Sequence, residues 1–114
     1  MKNFKIVLIA FTLLLAVNNH ASAQSTLPKT QTVVIQTSAI CESCKTRIEG
    51  ALNAMAGVKN SNLNLDDKKV TVVFSTKKTN VDAIKNLLSS IGYDADELKA
   101  NPTAYENLPT CCKK

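Results

Sequence analysis

A change of period near the start of the folded region limits this chain more than any other feature. Gln31 to Thr37 (Q-T-V-V-I-Q-T) is rich in β-branched residues. Val34 falls on one face and Val33 and Ile35 on the other, the two-residue period of a strand. From Ser43 or Cys44 to Ala56 the period lengthens. Ile48, Leu52 and Met55 recur at i, i+4 and i+7 with Ala51 and Ala56 beside them, which predicts an amphipathic helix. Gly57 follows as its left-handed stop. The stretch that joins the two patterns carries a C-x-x-C pair, Cys41 and Cys44. Cys44 falls in the first helical turn, where unpaired N–H groups and the positive end of the helix dipole favour thiolate over thiol. Lys45 and Arg47 act in the same sense and Glu42 against it, although a solvated helix face accounts for the two cations equally well.

The rest of the chain continues the alternation. Val58 leads into a short strand, Asn62 to Leu65, and a polar turn at Asp66-Asp67-Lys68 leads into Lys69 to Ser75. That second run places Val70, Val72 and Phe74 on one side, so the two strands form a hairpin. Thr79 or Asn80 caps a second helix whose stripe is Val81, Ile84, Leu88 and Ile91, with Leu87 beside it, and Gly92 stops it. Tyr93 to Leu98 is a weak last strand. The order β-α-β-β-α-β predicts an α+β ferredoxin-like sandwich, two helices on one face of a four-stranded antiparallel sheet. This domain occupies residues 31–98. Residues 24–30 form a flexible lead-in. Residues 99–114 form a tail, in which Asn101-Pro102 opens one helical turn through Tyr105 and Cys111-Cys112 follows.

Residues 1–23 have the pattern of a cleaved export signal. Lys2 and Lys5 precede the apolar run Ile6–Val17, and Ala21-Ser22-Ala23 is an A-x-A cleavage site. The run is well short of the roughly twenty residues that cross a bilayer. The expectation is an exported, periplasmic protein that begins at Gln24. What remains suffices for one small core. The formal net charge is +5, but two of its lysines lie in the leader and the others are scattered among acids. With few aromatic residues beside them, no nucleic-acid partner is indicated.

The single histidine, His20, leaves with the leader, whereas all four cysteines (Cys41, Cys44, Cys111 and Cys112) stay. The mature chain therefore has no imidazole for base catalysis or for a mixed Cys/His metal site. Two close-set cysteine pairs at opposite ends of a domain are poor staples for its middle, and four cysteines leave three connectivities open. Thiolates select soft ions over hard ones.

Several of these residues together resemble the heavy-metal-associated domain, the family of soft-metal chaperones, metal-transporting ATPase tails and the periplasmic mercury-binding protein. The carriers are Cys41-x-x-Cys44 after the first strand, Gly57-Val58, the segment Asn62 to Phe74, Leu87-Leu88, and Ile91-Gly92-Tyr93-Asp94-Ala95. The resemblance implies one soft ion, Cu(I) or Hg(II), on Cys41 and Cys44. That ion would be delivered to a membrane transporter or other thiolate acceptor, or sequestered, without catalysis. A monomer is implied, or a dimer bridged by metal. Zn(II) or Cd(II) gains weight if Cys111 and Cys112 fold back as additional ligands; the bland alternative is a disordered tail. Ala39 stands where the family usually has methionine, so the loop is either looser or packed by Ile40. Tyr93 falls in the loop facing the metal loop, as a neighbour of the ligands or as plain packing. The alternative from another class is a small periplasmic thiol–disulfide oxidoreductase using the same C-x-x-C. Against it stand the absence of Trp before Cys41, the absence of Pro between the cysteines, and an element order wrong for thioredoxin. A third reading is a partner-binding domain with a stapled loop.

Overall fold

The structure, a computed structural model, describes residues 28–114. The expected leader at 1–23 and the first part of the lead-in lie outside the described residues. Strand β1 (Thr30–Gln36) is followed by helix α1 (Glu42–Asn53), strands β2 (Val58–Asn64) and β3 (Lys69–Ser75), helix α2 (Val81–Ser90) and a short helix α3 (Pro102–Glu106). A single 3-10 turn, Thr110–Cys112, closes the chain. Among the described residues no helix is long and apolar enough to cross a membrane.

The sheet order is β1-β3-β2, both pairs antiparallel. Alternation sorts its side chains cleanly. Ile35, Leu63, Val70, Val72 and Phe74 are buried on the inner face, with the small Ser61 beside them, while Val34 on the outer face is 53% exposed. The two helices cover the inner face with Ile48 and Leu52 from α1 and Ile84 and Leu88 from α2. Asn80 caps α2 by accepting a hydrogen bond from the Ala83 N–H at 2.8 Å. This is the ferredoxin-like α+β arrangement that the alternation predicts.

Three features differ by more than a residue or two, each for a physical reason. Helix α1 ends at Asn53 rather than Ala56, and the chain reaches Gly57 (φ +97°) through a turn. Strand β2 starts at Val58, four residues before the apolar signal, because a bulge between Val58 and Asn60 and the polar run Lys59-Asn60 break the alternation. The fourth strand, expected over Tyr93 to Leu98, contracts to an isolated bridge between Thr37 and Ala95. Asp96 takes φ +53° and accepts from the Gln36 N–H with its own side chain at 2.9 Å, so a carboxylate occupies the place of the next ladder rung.

An ion pair ties α1 to the sheet edge. Glu49 Oε2 accepts from the Leu63 N–H at 2.7 Å and from Lys45 Nζ at 2.8 Å, and Lys45 Nζ also donates to the Leu63 carbonyl at 2.7 Å. Partial burial pushes the Glu49 carboxyl up, but the Lys45 ammonium and the Leu63 N–H outweigh it and hold the group below its ordinary 4.5. Its contribution to stability is therefore full above that ordinary value and is lost as the pH falls through the lowered one. Glu49→Ala strands the buried Leu63 N–H, and urea unfolding near neutral pH should register a loss of about 1–3 kcal/mol. An unchanged midpoint would assign the clamp no weight.

Candidate metal centre

The turn from β1 into α1 is held from both sides. Thr37 is buried; its Oγ1 donates to the Lys68 carbonyl at 2.8 Å and accepts from the Ala39 N–H at 3.1 Å. Ser38 Oγ accepts from the Asp94 N–H at 2.9 Å, which ties the loop to the segment after α2. Ala39 is fully buried and Ile40 half-buried against the core, so the loop with alanine in the usual methionine place is packed and anchored.

Cys41 is the N-cap of α1, with extended backbone, and its carbonyl accepts from the N–H groups of Cys44 (3.0 Å) and Lys45 (3.1 Å). Cys44 lies in the first turn, fully buried, with its sulfur 3.3 Å from that of Cys41. Lys45, one candidate for tuning the thiolates, instead gives its ammonium to Glu49 and Leu63 as above.

The tail completes the cluster. Helix α3 is capped by Asn101, which accepts from the Ala104 N–H at 2.9 Å and donates its own N–H to the Ser89 carbonyl at 2.9 Å. Leu108 is buried, and the chain then turns back at Pro109. Gly92 (φ +105°) makes this docking feasible: a Cβ there would meet the Ala104 carbonyl oxygen at 3.0 Å and Leu108 Cγ at 3.1 Å. The 3-10 turn then sets the Cys111 sulfur 3.2 Å and the Cys112 sulfur 3.5 Å from that of Cys41. All four cysteines are free thiols. Among the described residues, Cys41, Cys111 and Cys112 are the group whose ligand atoms lie within 4.8 Å of one another. Cys41 is half-buried and Cys111 exposed, whereas Cys44 and Cys112 are buried, so the cluster opens to solvent along its Cys41–Cys111 edge.

The surroundings polarise the cluster unevenly. Partial burial pushes the Cys41 thiol up, but the Cys111 thiol, the Cys44 backbone N–H and the thiols of Cys44 and Cys112 together bring it down to about 7. Burial, together with the Cys44 sulfur, pushes Cys112 up to about 12, against an opposing interaction with the Tyr93 hydroxyl. Tyr93 is fully buried, and its hydroxyl borders Cys112 and Cys44 yet has no partner in hydrogen-bond geometry among the described residues. Burial first, then these two sulfurs, raise its pKa. A neutral thiol is a weak acceptor and a thiolate a strong one, so this hydroxyl gains a partner when either sulfur becomes anionic.

Residues 34–94 match the family described as the Heavy-metal-associated domain, more than half of the chain. The chain belongs to that family. Over 59 residues it is 37% identical to a copper-exporting P-type ATPase of Staphylococcus saprophyticus, a match that covers 52% of this chain and 7% of the ATPase. The domain thus spans a small fraction of the curated relatives it matches. Among solved structures it is similar to the CopZ metallochaperone, at 29% identity and TM-score 0.55, covering 57% of this chain and 98% of that one. It shares its fold with oxidized MerP from Ralstonia metallidurans CH34, at 24% identity and TM-score 0.57, covering 59% of this chain and 94% of that one. The family match stops at Asp94, so Cys111 and Cys112 lie outside it.

In the reduced, metal-free domain, Cys41 should be the most readily alkylated thiol near neutral pH. Its rate should titrate with a midpoint of about 7. Cys111→Ala removes a donor to the thiolate, so the midpoint should rise. Mass spectrometry of iodoacetamide-treated peptides reads both, and an unmoved midpoint would break the assigned cause.

Proposed function

We propose that this heavy-metal-associated domain is an exported carrier of one soft metal ion, held by the thiolates of Cys41 and Cys44. Copper(I) is the first candidate cargo and mercury(II) the second. The observation that carries the reading is the sulfur pair at the entrance of α1, 3.3 Å apart, with the Cys41 thiol brought down to about 7. The Cys41 thiol is thus close to ionisation near neutral pH before any metal arrives, and metal binding needs thiolates. Soft sulfur ligands without imidazole or a carboxylate in the cluster select thiophilic ions. The name of one relative, a copper-exporting ATPase, supports copper, and that of another, a metallochaperone, supports a carrier.

The protein catalyses no reaction on this reading. Cys41 presents its ligand at the solvent edge, Cys44 anchors the other side of the ion, and Tyr93 supplies a hydroxyl to the anionic sulfurs. The acceptor is a thiolate site, such as that of a membrane metal transporter. The element order and family membership give the oxidoreductase alternative no support.

The protein recovered from cells expressing the full chain should begin at Gln24. After reduction it should bind Cu(I) or Hg(II) one to one against a competing chelator, and Cys41→Ser with Cys44→Ser should abolish this binding. Failure of the reduced protein to bind either ion tightly would overturn the carrier. A first residue of Met1 would overturn the export signal.

A further inference from the structure

Cys111 and Cys112 belong to no part of the function proposed so far, and the fold brings them to its centre. We propose that the tail cysteines supply further ligands to the ion on Cys41 and Cys44, so that one chain closes a site of three or four thiolates and releases its metal more slowly than the Cys41–Cys44 pair alone would. This rests on the carrier reading of Cys41 and Cys44.

Sulfur spacing carries the argument. With metal–sulfur bonds of about 2.3 Å, two sulfurs of a tetrahedral site lie about 3.8 Å apart, and two in a linear site about 4.6 Å. The Cys41 sulfur has three sulfur neighbours, at 3.2, 3.3 and 3.5 Å. Those of Cys41, Cys111 and Cys112 also lie within 4.8 Å of one another, so opening the two contacts of Cys41 with the tail by a few tenths of an ångström admits a multiply coordinated ion, with Cys44 reached from the Cys41 side. A linear ion on Cys41 and Cys44 alone needs more than 1 Å of further separation, which the half-buried Cys41 side chain must supply by rotating away from the buried Cys44 and from its tail neighbours.

The docking of the tail is independent of the sulfurs. Ser89 Oγ donates to the Lys99 carbonyl at 2.8 Å, the Ala100 N–H donates to Asp94 Oδ1 at 2.9 Å, and Leu108 packs over Gly92. The buried Tyr93 hydroxyl without a partner faces Cys112 as well as Cys44, which gives the cluster an unused donor for a tail thiolate. Filling two positions from within the chain also removes the sites at which an acceptor's thiolates attack, so release becomes slow.

The test uses the protein purified from cells expressing the full chain, reduced with a non-thiol reductant and loaded with one equivalent of Cd(II) or Cu(I). X-ray absorption should count three or four sulfurs around the ion in a species of one chain per ion. Cys111→Ala with Cys112→Ala should reduce the count to two. The same variant should weaken binding by at least the roughly tenfold that loss of even an outer-shell group costs, and speed release to excess chelator. Cys111→Ala alone alters only an exposed side chain and should remove one sulfur without changing the circular dichroism spectrum, so loss of fold cannot imitate the result. A count of two in the unaltered protein, or three only in a species of two chains per ion, overturns the inference while leaving the carrier standing. Absence of binding overturns both.

Discussion

Everything at the sulfur cluster depends on one buried threonine. Thr37 sits where β1 ends, and its hydroxyl and N–H both reach the Lys68 carbonyl at the turn of the β2–β3 hairpin. The same hydroxyl accepts from Ala39 and so fixes the direction in which the chain leaves the sheet. With that exit fixed, Cys41 can end the loop as an N-cap and Cys44 can enter the core. Ser38 then fastens the other wall, the segment after α2, to the same loop. A flexible loop would have to lose conformational entropy each time two ligands met one ion; here folding has already met that cost.

The four sulfurs differ because their surroundings differ. Cys41 lies at a helix entrance among donors and ionises near neutrality, while Cys112, under the tail and beside Tyr93, stays protonated far longer. On the proposed site, this difference gives binding an order: the thiolate of Cys41 at the solvent edge captures the ion, and the ion's own charge then displaces the proton of Cys112.

Much of this was legible in the residues. The β3 run Lys69–Ser75 alternates without interruption and coincides with the observed strand, and the Asn80 cap and Gly92 stop bound α2 as read. The pattern failed where polar atoms replace apolar ones in the same structural job. Strand β2 begins with Val58-Lys59-Asn60, which looks like a loop because it lies at an edge and across a bulge. The last strand vanishes because Asp96 substitutes a side-chain acceptor for a backbone one, and no hydrophobic period reports that. The C-x-x-C loop was visible from its place between two periods. The position of Cys111 and Cys112 was not, since it follows from contacts far apart in sequence: an absent side chain at Gly92, a carbonyl at Ala104 and an apolar anchor at Leu108.

The clamp between α1 and β2 has a bearing on assembly. An outermost strand presents unpaired amide groups that invite a further strand from another molecule. At Leu63 both the N–H and the carbonyl are already engaged by Glu49 and Lys45. The ion pair therefore serves as a plug against strand addition on that border, as Asp96, engaging both the N–H and the carbonyl of Gln36, does at the end of β1 on the other.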